Sequence, residues 1–269
     1  MNGRFQDKCV VITGVASGLG LRLATIFDKE GATVCGLDVD AQALSRVSDL
    51  LSDRFQPFIC DVTDRNQISR TFAEIYAVQK EVDILVNNAG IVFAGTLWEQ
   101  TSEQIEKTFA VNTISHFYTI QAVFEQMRAS NRGHIVTIAS AGGFVGTPKL
   151  SAYTASKFAV VGMEESLRAE IGMEGLNIQT TLIAPYFINT GMFEGVKTRF
   201  SWLLPILDQD LVAERIAKAI HKKKRRLILP WFVYTVFPLR LLPVDLFDTV
   251  GAFFGITRVM DHFKGRTQD

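Results

Sequence analysis

Several things this chain lacks narrow its function before any motif is read. It carries no excess charge of either sign, with 28 Lys and Arg against 28 Asp and Glu. A chain with no net field has no global attraction to a polyanion, so nucleic acid is not expected as a partner. Cysteines are few and odd in number. Cys9, Cys35 and Cys60 each lie in a short apolar run that reads as a strand. Buried thiols of a reducing compartment fit that pattern better than a disulfide framework, and a cytoplasmic location is expected. The four histidines, His116, His134, His221 and His262, share no metal-ligand spacing, so no metal site is expected. No charged-then-apolar leader precedes Lys8, and no uninterrupted run of about 18 apolar residues occurs, so neither secretion nor a spanning helix is expected. No repeat, linker or low-complexity segment divides the 269 residues. With 48% hydrophobic and 21% charged residues the expectation is one large-cored domain over residues 1–269.

What is present begins with a continuous apolar run at 8–13, as a strand buried on both faces requires. The glycine turn Gly14-Val15-Ala16-Ser17-Gly18-Leu19-Gly20 follows at once, then a helical period to Gly31, then a strand over 33–37 ending in Asp38. Strand, glycine turn, helix, strand and acid form the order of a dinucleotide-binding βαβ unit. Its glycines let backbone N–H groups approach a pyrophosphate at a helix N-terminus. Asp38 can accept hydrogen bonds from ribose hydroxyls and would repel a 2′-phosphate, so NAD is expected ahead of NADP. A turn that merely connects two elements is the plainer alternative for the glycines taken alone.

The alternation continues. Helices are read at 41–52, 64–79, 102–127 and 151–173, and strands at 55–60, 82–86, 134–139 and 177–184. The expected fold is therefore α/β: one doubly wound parallel sheet with helices on both faces and an apolar helical C-terminal extension. Gly14, Asp38, Asp61, Asn87, Ser140 and Pro185 all fall at strand C-termini, which places one site along one edge of the sheet. On the helix that follows, Tyr153 and Lys157 are four residues apart and share a face, with Ser140 thirteen residues upstream of the tyrosine. An ammonium beside a phenol lowers the phenol pKa and brings Tyr153 nearer to working pH as a general acid or base.

Taken together, Thr13-Gly14-x-x-x-Gly18-x-Gly20, Asn87-Asn88-Ala89-Gly90, Asn112, Ser140, Tyr153-x-x-x-Lys157 and the stretch from Pro185 to Thr190 resemble the short-chain dehydrogenase/reductase family over about residues 5–230. The resemblance implies hydride transfer between a nicotinamide and a carbinol or carbonyl carbon. It implies that Tyr153 exchanges the hydroxyl proton, Lys157 binds the nicotinamide ribose, Ser140 holds the substrate oxygen and Asn112 holds a water linking Lys157 to solvent. It further implies a cofactor surface of Gly14, Ser17, Gly18, Leu19, Gly20 and Asp38 at one end. Asp61 and Val62 would flank the adenine, Asn88, with Ala89 and Gly90, would lie against the cofactor, Thr190 would contact the carboxamide, and Pro185 and Ile188 would also bind the cofactor. Ser17, where NADP-dependent members carry a basic residue, agrees with NAD, whereas Arg22 reads as a solvated helix residue. Pro185-Tyr186 departs from the Pro-Gly common in the family. The run from Pro185 to Gly195 looks like the retinol dehydrogenase branch, the epidermal type in particular. A small hydrophobic alcohol is the substrate this implies, with a hydroxysteroid or 3-oxoacyl group as the alternative. A two-fold homodimer through the helices at 102–127 and 151–173 is also implied. A nucleotide sensor or membrane-surface scaffold without turnover is the rival from another class.

The chain divides on this reading into a core at 5–230, a substrate loop at 187–210 and an extension at 231–269. Two readings stand for the basic run Lys222-Lys223-Lys224-Arg225-Arg226 and the apolar stretch after it. One is a solvated helix end followed by an edge strand and helices covering the substrate pocket. The other is a peripheral membrane contact through 222–263, in which the cations meet anionic lipid while Trp231, Phe232, Tyr234 and Phe237 dip into the interface.

Overall fold

Val10, Val11 and Ile12 are fully buried in strand β1 (Cys9–Thr13), apolar to both sides because the strand is covered on both faces. The computed structural model describes residues 3–265, so the expected domain's residues 1–2 and 266–269 lie outside it. After β1 come α1 (Gly18–Lys29), β2 (Thr33–Asp38), α2 (Ala41–Leu50), β3 (Phe55–Ile59), α3 (Arg65–Val78) and β4 (Ile84–Asn87). The second half runs α4 (Ser102–Phe109), α5 (Ser115–Ala129), β5 (Gly133–Ile138), α6 (Ser151–Met173), β6 (Ile178–Pro185), α7 (Gln209–His221) and β7 (Arg226–Leu229). All seven strands join one sheet in the order β3-β2-β1-β4-β5-β6-β7, and every pairing is parallel. The order reverses between β1 and β4, which opens a crevice beyond the strand C-termini.

Leu23 and Phe27 of α1, Leu44 of α2 and Ile216 of α7 pack on one face of the sheet. Phe72 of α3, Val123 of α5 and Met163 of α6 pack on the other. Cys9, Cys35 and Cys60 are free and buried in that second layer. Cys60 lies one residue past β3, an edge strand whose Pro57 and Ile59 face outward. Burial pushes the Cys60 thiol up.

One element departs from expectation. The helix read at 102–127 is interrupted by a π-helical turn at Ala110–Ile114. Its start is capped as the residues suggest, with Thr101 and Gln104 bonding reciprocally to each other's backbone. The wider turn carries Asn112 inward, and its cause is tertiary, as the site shows.

The extension forms a 3₁₀ turn (Trp231–Thr235), α8 (Val236–Leu239), α9 (Val244–Phe253) and a further 3₁₀ turn (Ile256–Arg258). Among the described residues no helix is long and apolar enough to cross a membrane.

Candidate active site

The glycine turn is built by backbone geometry. Gly14 (φ +66°) and Gly18 (φ +54°) sit in the left-handed region, and a Cβ on Gly14 would meet the Ala89 Cα at 2.9 Å. Thr13 and Asn88 clamp the turn from beneath. The Thr13 hydroxyl accepts from the Asn88 and Ala89 N–H groups, both at 3.0 Å, and Asn88 Nδ2 donates to the carbonyls of Thr13 (2.9 Å) and Gly14 (3.0 Å). The Asn88 side chain therefore shapes the cradle, beyond lying along it.

Asp38 ends β2 beside this turn. Its carboxylate accepts from the Ala16 N–H (2.9 Å) and the Asp40 N–H (3.2 Å), which leaves lone pairs for two hydroxyls. Asp61 is aimed by Thr63, whose N–H (2.9 Å) and hydroxyl (2.7 Å) both donate to Oδ1. Arg22 Nε lies 3.1 Å from Asp210 on α7, an exposed ion pair.

At the other end α6 presents Tyr153 and Lys157 on one buried face. Lys157 Nζ lies 5.9 Å from the Tyr153 ring centre and donates to the Ile138 carbonyl at 3.0 Å. The expected lowering of the phenol pKa by Lys157 is not what this packing produces. Burial pushes Tyr153 up to about 12, against a lowering by its hydrogen bond with Ser140, and burial pushes Lys157 down to about 8. Desolvation wins because both groups leave water while the ammonium is spent on a carbonyl. Ser140 accepts from the Gly142 N–H at 3.1 Å, which holds its hydroxyl toward the phenol.

Asn112 is fixed by three hydrogen bonds. Oδ1 accepts from the Ile91 N–H (2.8 Å), and Nδ2 donates to the Ile91 carbonyl (3.0 Å) and to Ser156 Oγ (3.1 Å). A Cβ on Gly90 would lie 3.5 Å from Asn112 Oδ1 and 3.7 Å from Lys157 Nζ, so the bare glycine keeps open the space between them. One turn on, His116 is buried. Desolvation, then the Lys157 charge, pushes its pKa down to about 3, so its ring is neutral. Burial likewise pushes His134 down to about 4, beside Thr181 Oγ1 at 2.7 Å.

These groups converge on a cavity of about 670 Å³. Gly14, Ser17, Gly18, Leu19 and Asp38 line one end, and Asp61, Val62, Asn88, Ala89 and Gly90 the middle. Ser140, Tyr153, Lys157, Pro185, Ile188 and Thr190 line the far end. Gly20 and Asn112 do not reach it. Gly20 is a packing residue, because a Cβ there would meet the Gly14 carbonyl oxygen at 2.1 Å.

The apolar half of the cavity is built by residues outside these motifs. Tyr186 stands edge-on to Phe187 at 4.6 Å, and burial pushes its phenol up. Phe193 stands edge-on to Tyr153 at 5.5 Å. From the extension, Phe232, Val236, Leu239, Phe247, Val250 and Phe254 close the outer wall. The aromatic density after Leu227 was the available signal. It does not say which rings face inward.

The short chain dehydrogenase family model matches residues 8–199. The chain is 35% identical over 265 residues to epidermal retinol dehydrogenase 2 of Mus musculus, covering 96% of this chain and 86% of that protein. It is 34% identical over 241 residues to estradiol 17-beta-dehydrogenase 11 of Homo sapiens, covering 88% and 79%. Among solved structures, a short chain dehydrogenase/reductase from Burkholderia phymatum in complex with NAD superposes with a TM-score of 0.81. The two are 27% identical, covering 90% of this chain and 96% of that one.

Proposed function

The chain belongs to the short-chain dehydrogenase family, and from that premise we propose that it transfers hydride between NAD and the carbinol carbon of a small hydrophobic alcohol. The observation that carries this is a single cavity with the glycine cradle and Asp38 at one end, Ser140, Tyr153 and Lys157 at the other, and an apolar wall beyond them.

The cradle fits the dinucleotide on its own geometry. Gly14 and Gly18 carry the turn through the left-handed region along the cavity wall, the N-terminus of α1 begins there, and the Asp38 carboxylate stands where ribose hydroxyls would reach. NAD, when bound, supplies the hydride acceptor. Ser140 positions the substrate oxygen against Tyr153. Tyr153 Oη accepts the hydroxyl proton during alcohol oxidation and returns it during carbonyl reduction. Lys157 would bind the nicotinamide ribose; its ammonium, held by the Ile138 carbonyl, does not lower the Tyr153 pKa in this packing. The apolar wall excludes water from the reacting carbon.

A hydroxysteroid is the second reading, favoured by the likeness to estradiol 17-beta-dehydrogenase 11. Against it, the extension's wall is almost wholly apolar: of its residues lining the cavity only Thr235 carries a hydroxyl, and that hydroxyl already donates to the Phe232 carbonyl at 2.7 Å. A retinol-like or long-chain alcohol with one oxygen suits that wall better. A two-fold homodimer through α5 and α6 belongs to the proposal. Support comes from Ile114, in the π turn ahead of α5, and Phe117 on α5, which are 43% and 46% exposed. Light scattering at micromolar concentration tests it, and a monomer would overturn it.

The test of the reaction is Tyr153→Phe, assayed by NADH absorbance with a panel of alcohols. Turnover should fall about 10²–10⁴-fold while NAD affinity stays within a few-fold. Near-normal turnover in the variant would remove the phenol from the mechanism. Wild type that prefers NADP would remove the cofactor assignment.

A further inference from the structure

An aromatic array runs from the surface into the cavity. The exposed Trp231 meets Phe232 at 5.9 Å, Phe232 meets Phe254 at 5.3 Å, Phe254 meets Phe253 at 5.4 Å, and Phe253 meets Phe200 at 5.6 Å. Phe232 and Phe254 line the cavity. Their outer neighbours face solvent, with Trp231 72% and Phe253 56% exposed; Trp202, two residues past Phe200, and Leu241, two residues past α8, are 79% and 87% exposed. So much apolar surface at a cavity mouth marks a contact with something apolar. Arg199 lies over the Phe200 and Phe253 rings, at 5.3 and 5.1 Å, and is itself exposed. Indole rings at the edge of an apolar patch with an arginine among them match the chemistry of a lipid headgroup layer.

The basic run is not part of this face. Every strand is parallel and the cavity lies at the strand C-termini, so Lys222, Lys223 and Lys224, which precede β7, sit at the opposite edge of the sheet. Six residues, four of them the strand β7, lie between Lys224 and Trp231, about 20 Å along the strand direction and beyond the roughly 8 Å reach of an exposed charge at physiological salt. Arg226 is already held by Glu165 at 2.6 Å. Asp245 and Asp248 lie on the side of α9 turned away from Phe247, Val250 and Phe254 and stay in water if α9 meets a bilayer edge-on.

We propose that the protein docks on a phospholipid bilayer through this aromatic rim, and that its alcohol passes from the acyl layer into the cavity between Phe232 and Phe254. The passage rests on the hydride-transfer reading above, whereas the docking does not. The contact is led by apolar insertion, with Arg199 meeting a phosphate, so it requires neither anionic lipid nor low salt.

The experiment uses the full chain with vesicles of phosphatidylcholine alone and, in parallel, vesicles that also contain anionic phosphatidylserine. Wild type should co-sediment with them equally at low and high salt. Trp202→Ser/Trp231→Ser/Leu241→Ser should reduce binding about tenfold or more. That variant should keep its turnover of a short soluble alcohol and lose turnover of a long-chain alcohol carried in the vesicles. In a Trp98→Phe background, lipids bearing a quencher on the acyl chain should quench the fluorescence of Trp202 and Trp231, a readout that needs no triple variant. Binding confined to anionic vesicles and released by salt would assign the contact to Lys222–Arg226 and overturn the proposal. So would unquenched tryptophans, or a triple variant that binds like wild type. If no alcohol is oxidised with NAD, the passage fails with the reaction, and sedimentation still decides the docking.

Discussion

Asn112 and Ile91 are joined by a pair of hydrogen bonds, the side-chain amide of one closing on the backbone N–H and carbonyl of the other at 2.8 and 3.0 Å. This pairing explains the π turn. An α-helix continued through Ala110–Ile114 would swing Asn112 away from a strand-end loop 21 residues upstream. The bonds hold the Gly90–Ile91 backbone against the helix and keep Asn112 Oδ1 beside Lys157 across Gly90.

Asn112→Ala should therefore destabilise the protein as well as slow it. The Ile91 N–H and carbonyl lose their partner in a buried setting, at about 1–3 kcal/mol for each group left unsatisfied. Asn112→Asp keeps an acceptor for the Ile91 N–H but turns an acceptor toward the Ile91 carbonyl, so it should be no better. Urea denaturation checks both, and an Asp variant as stable as wild type would contradict the pairing.

Lys157 makes stability depend on pH in a definite direction. Its pKa is about 8 in the fold against 10.5 for the free side chain. Between those values the unfolded chain binds more protons, so stability rises with pH from about 8 and the deficit is constant below it. Tyr153, raised from 10.0 to about 12, works the other way only above pH 10. Lys157→Met should thus be inactive but more stable than wild type near neutrality. Its advantage in urea midpoint should shrink as pH rises from 8 to 10. An advantage that stays the same across that range would mean that Lys157 keeps its ordinary pKa in the fold.

Asp38 has two tasks that one substitution would confound. It carries the charge that repels a 2′-phosphate, and it holds the Ala16 N–H of the glycine turn. Val39 is 68% exposed at the cavity rim and accepts an arginine without repacking. Asp38→Asn/Val39→Arg keeps an acceptor for Ala16 and should move the kcat/KM preference toward NADP. Asp38→Ala/Val39→Arg should move it too, with weaker binding of both dinucleotides. Equal affinity for NAD in the two variants would remove the structural task from Asp38.

Local residues announced most of the frame. Buried strands such as β1 are apolar throughout, the left-handed glycines at 14 and 18 are the residues that tolerate that backbone, and α6 runs over Ser151–Met173 as its pattern reads. What was not legible depends on distant partners. Nothing near Asn112 in sequence reveals that it will bind Ile91 and Ser156. Nothing near Asn88 reveals that its amide will hold the carbonyls of Thr13 and Gly14, more than seventy residues away. The sign of the Tyr153 shift was misread because burial is a property of the whole fold. The extension has no simple period because its inward rings are chosen by the cavity they enclose.

Arg240 is the latch of that extension. Its Nε donates to the Phe144 carbonyl at 2.8 Å, 96 residues away, and its guanidinium lies 5.1 Å from the Phe158 ring centre on α6 and 6.0 Å from that of Phe247 on α9. One side chain thus ties the outer wall of the cavity to the core by a hydrogen bond and two cation–π contacts. Such contacts contribute about 0.5–1 kcal/mol each at exposed sites, and the hydrogen bond a similar amount. That sum is small against the stability of a domain but comparable to what holds a short extension in place. Arg240→Ala should therefore leave the global urea midpoint nearly unchanged while making residues 231–258 more open to proteolysis. A substrate long enough to rest on Phe247 and Phe254 should show a KM raised several-fold, and a short alcohol held at Ser140 and Tyr153 should not. Arg240→Lys keeps the charge but loses the planar stacking, so it should fall between the two. If the variant raises KM for short and long alcohols alike, the extension shapes the catalytic end directly and Arg240 is no latch.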